Sequence, residues 1–166
     1  MFQAVLPLPP VAAFRYAKLV VLAVTHTVTS AAIGATVESA PVSFGLAFLF
    51  HLFSDTLLHW NIYIDAHRRP YAWIVVDVLG GLALAFWLIP ETFFTAPVLA
   101  AVLGGNLPDL WHGGLDLLAR IRKYPLKKPG AFFRFHEGLQ HETANAWKGL
   151  LWQGVLLVLA VWAMRG

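Results

Sequence analysis

The sequence contains no cysteine. Disulfides, thiolate metal sites and cysteine nucleophiles are therefore excluded, and any metal or acid–base chemistry must be built from His, Asp, Glu and Asn. Charge is also scarce: Asp, Glu, Lys and Arg make up 13% of the 166 residues, against 58% hydrophobic. A soluble domain carries about 25% charged residues. A chain this poor in charge has too little polar surface to cover a core, unless lipid covers it instead. A charged n-region is missing from residues 1–14, and Pro7, Pro9 and Pro10 interrupt their apolar run. No cleavable signal peptide is expected there, and the segment reads as an interfacial arm.

What the sequence does have is long apolar stretches and aromatic residues, including seven Trp and twelve Phe, which favour bilayer interfaces. A membrane span needs roughly 20 mainly apolar residues. Five stretches reach or approach that length: residues 19–37, 41–62, 71–89, 94–118 and 149–164. The expected fold is an all-α membrane domain of about five transmembrane helices, with a cytoplasmic basic loop at 119–148. Arg15, Lys18, Arg68, Arg69 and the group Arg120, Arg122, Lys123, Lys127, Lys128, Arg134 and Lys148 all fall on one side of the spans. Only Arg165 falls on the other, and the opposite loops carry Glu38 and Glu91. This positive-inside pattern predicts a bacterial inner-membrane protein with a cytoplasmic N-terminus and its C-terminus outside. It also accounts for the net charge of +3 without nucleic acid, since basic loops anchor on anionic lipid.

Within those spans lie His26, His51, Asp55, His59, Asp77, Asp109 and His112. An ionisable side chain near a bilayer centre costs roughly 2.5–3.5 kcal/mol on insertion scales, so such residues face each other, a wet cavity or a metal. His51, Asp55 and His59 are spaced i, i+4, i+8, one face of a helix; Asn106, Asp109, His112 and Asp116 follow a similar face. Counted inward from the cytoplasmic ends, His26, Asp55, Asp77 and Asp109 fall in one layer. The stretch Gly104-Gly105-Asn106-Leu107-Pro108-Asp109 predicts a helix break, tolerated at membrane depth only against protein or a cavity. A helix restarting at Pro108 would turn its amides toward an anion such as phosphate. Residues 49–55 also echo 103–109, each ending on an Asp.

Imidazole and carboxylate without thiolate suit zinc, manganese or iron. Thr25, Thr27, Ser54, Thr56 and Asn106 are candidates to orient the imidazoles. Downstream, the 132–142 segment combines aromatics with His136, Glu137, His141 and Glu142. It predicts a headgroup-level element closing over the cavity, with Glu137 or Glu142 as a ligand or general base. Asp65 and His67, in a short basic loop, read as solvated residues. Asp116 is spaced to pair with Arg120.

Thr25-His26, Leu107-Pro108-Asp109-Leu110-Trp111-His112 and His136-Glu137-Gly138-Leu139-Gln140-His141 resemble motifs of the predicted membrane-bound metal-dependent hydrolases, a group also described as LexA-binding and inner-membrane-associated. His51 and Asp55 match that family's His-x3-Asp segment, which is distantly similar to one in zinc-dependent phospholipase C. Trp111, Glu137 and Gln140 depart from the family's Asp, Arg and Thr, and the His-x3-Asp segment here precedes the Pro-Asp motif. The resemblance implies a metal-dependent hydrolase acting on a phosphoester.

The residues and the resemblance lead to one expectation: a divalent transition metal, zinc first, as one or two ions. The candidate ligands are His26, His51, Asp55, Asp109, His112, His136 and His141, with Asp77, Glu137 and Glu142 as acids or bases. The substrate would be a membrane lipid or lipid-linked phosphoester. The rival expectations are a metal-ion or proton transporter, since intramembrane His and Asp serve those too, and a non-catalytic metal-binding membrane protein.

Overall fold

The computed structural model describes residues 23–60, 70–122, 130–143 and 145–165. Residues 1–14, Asp65 and His67, and the side chains of Asp116 and Arg120 lie outside them. Six helices follow in order: α1 (Ala23–Thr36), α2 (Ala40–Asp55), α3 (Pro70–Leu88), α4 (Ala96–Arg122), α5 (Ala131–Leu139) and α6 (Ala146–Arg165). The fold is all-α, and the described residues form no strand. Among the described residues, only α6 is long and apolar enough to cross a membrane by itself; the apolar parts of α2 and α3 are shorter.

The centre is α1, which packs against α2, α3, α4 and α6. Its sequence is built from small and hydroxyl residues, and Thr25, Thr27, Thr29 and Ser30 are all buried. Small side chains let neighbouring backbones come close on every side. The Gly104-Gly105 pair of α4 does the same. A Cβ at Gly104 would strike the Phe44 carbonyl of α2, and one at Gly105 would strike the Ser30 hydroxyl of α1. Far from the α2–α4–α5 end, Val28, Ala31, Ala32, Ala85, Ile89, Phe93, Val98 and Ala160 form an apolar core. Phe93 meets Phe86 and Phe94 edge-on across the α3–α4 turn.

Two expected features differ. The helix break at residues 104–109 is absent: α4 runs through it as 27 residues with Pro108 inside. Proline still removes the amide that would bond the Gly104 carbonyl, so the ladder is loosened without being broken. The expected helix restart, and the anion-binding amides it would offer, are therefore not formed. In addition, α2 ends at Asp55 rather than continuing toward residue 62. Helical geometry would send the His59 amide to the Asp55 carbonyl. Instead the His141 amide takes that carbonyl at 3.0 Å, and the His59 amide donates to the His141 carbonyl at 3.1 Å. The Thr143 amide then donates to the His59 carbonyl at 3.0 Å, within an isolated parallel bridge between His59 and Glu142. A distant strand of chain has replaced the next helical turn. His59 therefore does not share a helix face with His51 and Asp55.

A candidate metal centre at the α2–α4–α5 junction

His51 and Asp55 sit one turn apart on the last two turns of α2, and Asp109 follows the Pro108 site on α4. His136 arrives from α5, a helix inside the expected basic loop. Their donor atoms converge. His51 Nε2 lies 3.2 Å from His136 Nε2 and 3.2 Å from Asp55 Oδ2. His136 Nε2 lies 2.8 Å from Asp55 Oδ2, and both imidazoles lie 3.8 Å from Asp109 Oδ1. One donor atom from each of the four residues falls within a 4.8 Å cluster. Zinc–nitrogen and zinc–oxygen bonds of about 2.0–2.2 Å give a tetrahedral edge of about 3.3–3.5 Å. The observed edges bracket that value, so the cluster could hold a metal ion.

Hydrogen bonding fixes how the imidazoles face the cluster. A carbonyl can only accept, so the 2.7 Å contact of His51 Nδ1 with the Gly105 carbonyl is a donated N–H. His51 Nε2 therefore faces Asp55 and Asp109, where either a proton or a metal ion would satisfy the carboxylates. Ser54 does the same for His26. Its hydroxyl donates to the His51 carbonyl at 2.8 Å, leaving the oxygen to accept from His26 Nδ1 at 3.3 Å. His26 Nε2 is left bare, 3.4 Å from Asp55 Oδ1. Among the described residues, His26 Nε2, Asp55 Oδ1 and Asp109 Oδ1 are buried without a hydrogen-bond partner. Each buried orphan costs about 1–3 kcal/mol. Asp109 Oδ1 belongs to the four-donor cluster and the other two face each other beside it, which fits a donor set that could take a cation.

The other expected site residues fall at graded distances. His112 is buried on the far side of the His136 ring, its Nδ1 3.5 Å from His136 Nδ1, and Phe133 packs on it at 3.6 Å between ring centres. It therefore adjoins a ligand rather than the four-donor cluster. Asp77 does not enter the four-donor set; it accepts hydrogen bonds from the Ala23 and Val24 amides of α1. His141 is exposed, and its main chain, rather than its imidazole, is bonded to Asp55. Glu137 follows His136 on α5, and Glu142 belongs to the His59 bridge; neither enters the four-donor set. Of the proposed orienting groups, Ser54 reaches an imidazole. Thr27 donates to Asn106 Oδ1 at 3.2 Å, and Thr56 is exposed on its own helix end.

The Gly105 carbonyl escaped the sequence reading because it is main chain. Its only signal was Pro108 three residues later, which loosens the helical ladder nearby. No protein-family model, no curated protein and no solved structure matches the chain.

Proposed function

We propose that this protein is a membrane-embedded, metal-dependent hydrolase of phosphoesters in lipids or lipid-linked substrates. The observation that carries the reading is the four-donor cluster, with the orphaned Asp109 Oδ1 within it and the orphaned Asp55 Oδ1 and His26 Nε2 beside it. Membrane embedding is supported by an inverted polarity. His26, His51, Asp55 and His136 are at most 2% exposed, while Trp147 is 87%, Trp162 74% and Trp87 70% exposed. Lipid covers such a surface at no cost, whereas water does not. In this reading the site lies in the cytoplasmic half of a bundle of about five spans, oriented by its basic loops.

His51, Asp55, Asp109 and His136 would hold the ion, zinc being the best match to two imidazoles and two carboxylates. A bound divalent cation supplies Lewis acidity toward a phosphoryl oxygen and acidifies water. Gly105 and Ser54 hold their protons away from the centre, on the outer nitrogens of His51 and His26. His26 Nε2 is thereby free to accept a proton beside Asp55. Substrate would enter on the Asp109 side, because Asp109 is the one ligand with side-chain exposure, 12%, and has the longest edges.

A closed set of four protein ligands is also what structural zinc sites use, and that favours a non-catalytic metal-binding reading as the rival. Metal analysis of the purified protein, with His51→Ala and Asp55→Ala beside it, tests the shared premise. Near-stoichiometric transition metal is expected in the wild type and loss in both variants. A wild type free of metal without chelators sinks the centre. With metal present, phosphoester turnover in detergent that His26→Gln lowers about 10²-fold without metal loss supports the hydrolase. Metal without turnover leaves the structural reading, and ion flux in proteoliposomes would indicate transport.

A further inference from the structure

Three of the four clustered donors come from α2 and α4, which pack directly on one another. The fourth comes from α5, a nine-residue helix seated by few contacts. Phe133 packs on His112, Phe132 lies 6.0 Å from Phe48, and the His141–Thr143 strap holds the following chain to α2. A helix this short is not stable alone, so its seating depends on what both of its faces meet. The inner face carries Phe133 and His136. Phe132 lies at the edge, stacked on Phe48 and His136, and the outer face carries Phe135, 55% exposed.

The surroundings of that outer face define a partner. Helices α2 and α4 end here and α6 begins here, its Gly149 packed against His59 and Trp60. Exposed Ile121 and Trp147 stand at the neighbouring helix ends, and Arg122, Arg134 and Lys148 are exposed cations at the same end. The exposed Phe135 ring on an amphipathic helix stands near exposed Trp147, Arg122 and Lys148, while the acids of this end, Glu137 and Glu142, are half-buried, which matches the boundary of an anionic bilayer. The Phe135 ring enters the acyl–headgroup border and the cations meet lipid phosphates.

We propose that α5 docks on an anionic lipid headgroup layer and that this docking tightens metal binding by holding His136 in place. The proposal rests on the metal reading above and deepens it. A ligand that requires seated α5 and a surface that favours seated α5 must reinforce one another by the same factor. Anionic lipid is then a regulator of the centre as well as its solvent.

The test measures zinc affinity by chelator competition for the full-length protein in nanodiscs of phosphatidylcholine alone, or of phosphatidylcholine and phosphatidylglycerol in equal parts. About tenfold tighter binding is expected with the anionic lipid. Phe135→Ser and the pair Arg122→Gln with Lys148→Gln, all at exposed positions, should each shrink that difference. Equal affinity in both lipids overturns the coupling and leaves the metal centre standing. A lipid effect that survives every variant overturns docking through α5. No zinc binding in either lipid overturns both the coupling and the metal reading. The lack of native cysteine allows a spin label at Phe135→Cys, with Val158→Cys on α6 as reference. Headgroup depth at 135 and acyl depth at 158 support the docking, whereas an aqueous label at 135 overturns it. An aqueous label at 158 overturns the membrane reading itself.

Discussion

His112 shows how a single residue's role depends on which atom faces which. Its position in the Pro-Asp motif suggests a ligand, but the structure puts it behind His136, nitrogen to nitrogen at 3.5 Å. It is placed to fix the ring of a cluster residue rather than to join the cluster. Removing such a supporting group typically weakens metal binding by 10–100-fold. His112→Ala is therefore expected to bind zinc about tenfold more weakly yet at unchanged stoichiometry. In the same titration His136→Ala should lose the site. Equal loss in the two variants would make His112 a ligand after all. At this scale the sequence was informative about side chains and silent about main chain. His51, Asp55 and Asp109 were readable because ionisable groups in apolar stretches need partners. The Gly105 carbonyl and the reassignment of Asp77 to the α1 amides depend on helix packing, which spacing along one helix does not encode.

Among the elements, α4 is the one whose sequence signals were right in place and wrong in outcome. Glycines and a proline mark residues 104–109, but each has a separate task within a continuous helix. Gly104 lets α2 approach, Gly105 lets α1 approach, and Pro108 loosens the ladder next to the carbonyl that orients His51. Gly104→Ala sets a methyl against a backbone carbonyl, which cannot rotate away. A loss of about 1–3 kcal/mol is expected, read as a lowered unfolding temperature in detergent. Gly45→Ala, where a Cβ meets open space, should leave that temperature unchanged or higher. The end of α2 was illegible for a different reason. Local bonds from Thr56 and Leu57 tighten its last turn, but a segment more than 80 residues later takes the Asp55 carbonyl.

For the whole molecule, the composition fixed the class of solution: polar groups inside, aromatics outside, helices throughout. That ionisable residues of separate helices meet was also readable, since His51, Asp55 and Asp109 do so. Helix lengths were not, since the apolar runs blend into turns without a change of composition. If the centre holds a metal, the ion joins α2, α4 and α5 and stabilises the whole bundle by mass action. At a free metal concentration 100 times the Kd, that contribution is about 2.7 kcal/mol. A strong chelator should lower the unfolding temperature of the wild type by several degrees and leave Asp55→Ala unmoved. A wild type indifferent to the chelator would deny the ion that role. The strap and His136 have a further consequence for how the chain is made. His136 follows Asp55 by 81 residues. At about 5–20 residues per second, roughly 4–16 s separate their emergence from the ribosome. Throughout that interval a nascent chain holds its carboxylates without the imidazole that completes the set. Any metal capture by this cluster would thus be a late event of synthesis, and a truncated product ending before α5 would lack one of the four donors.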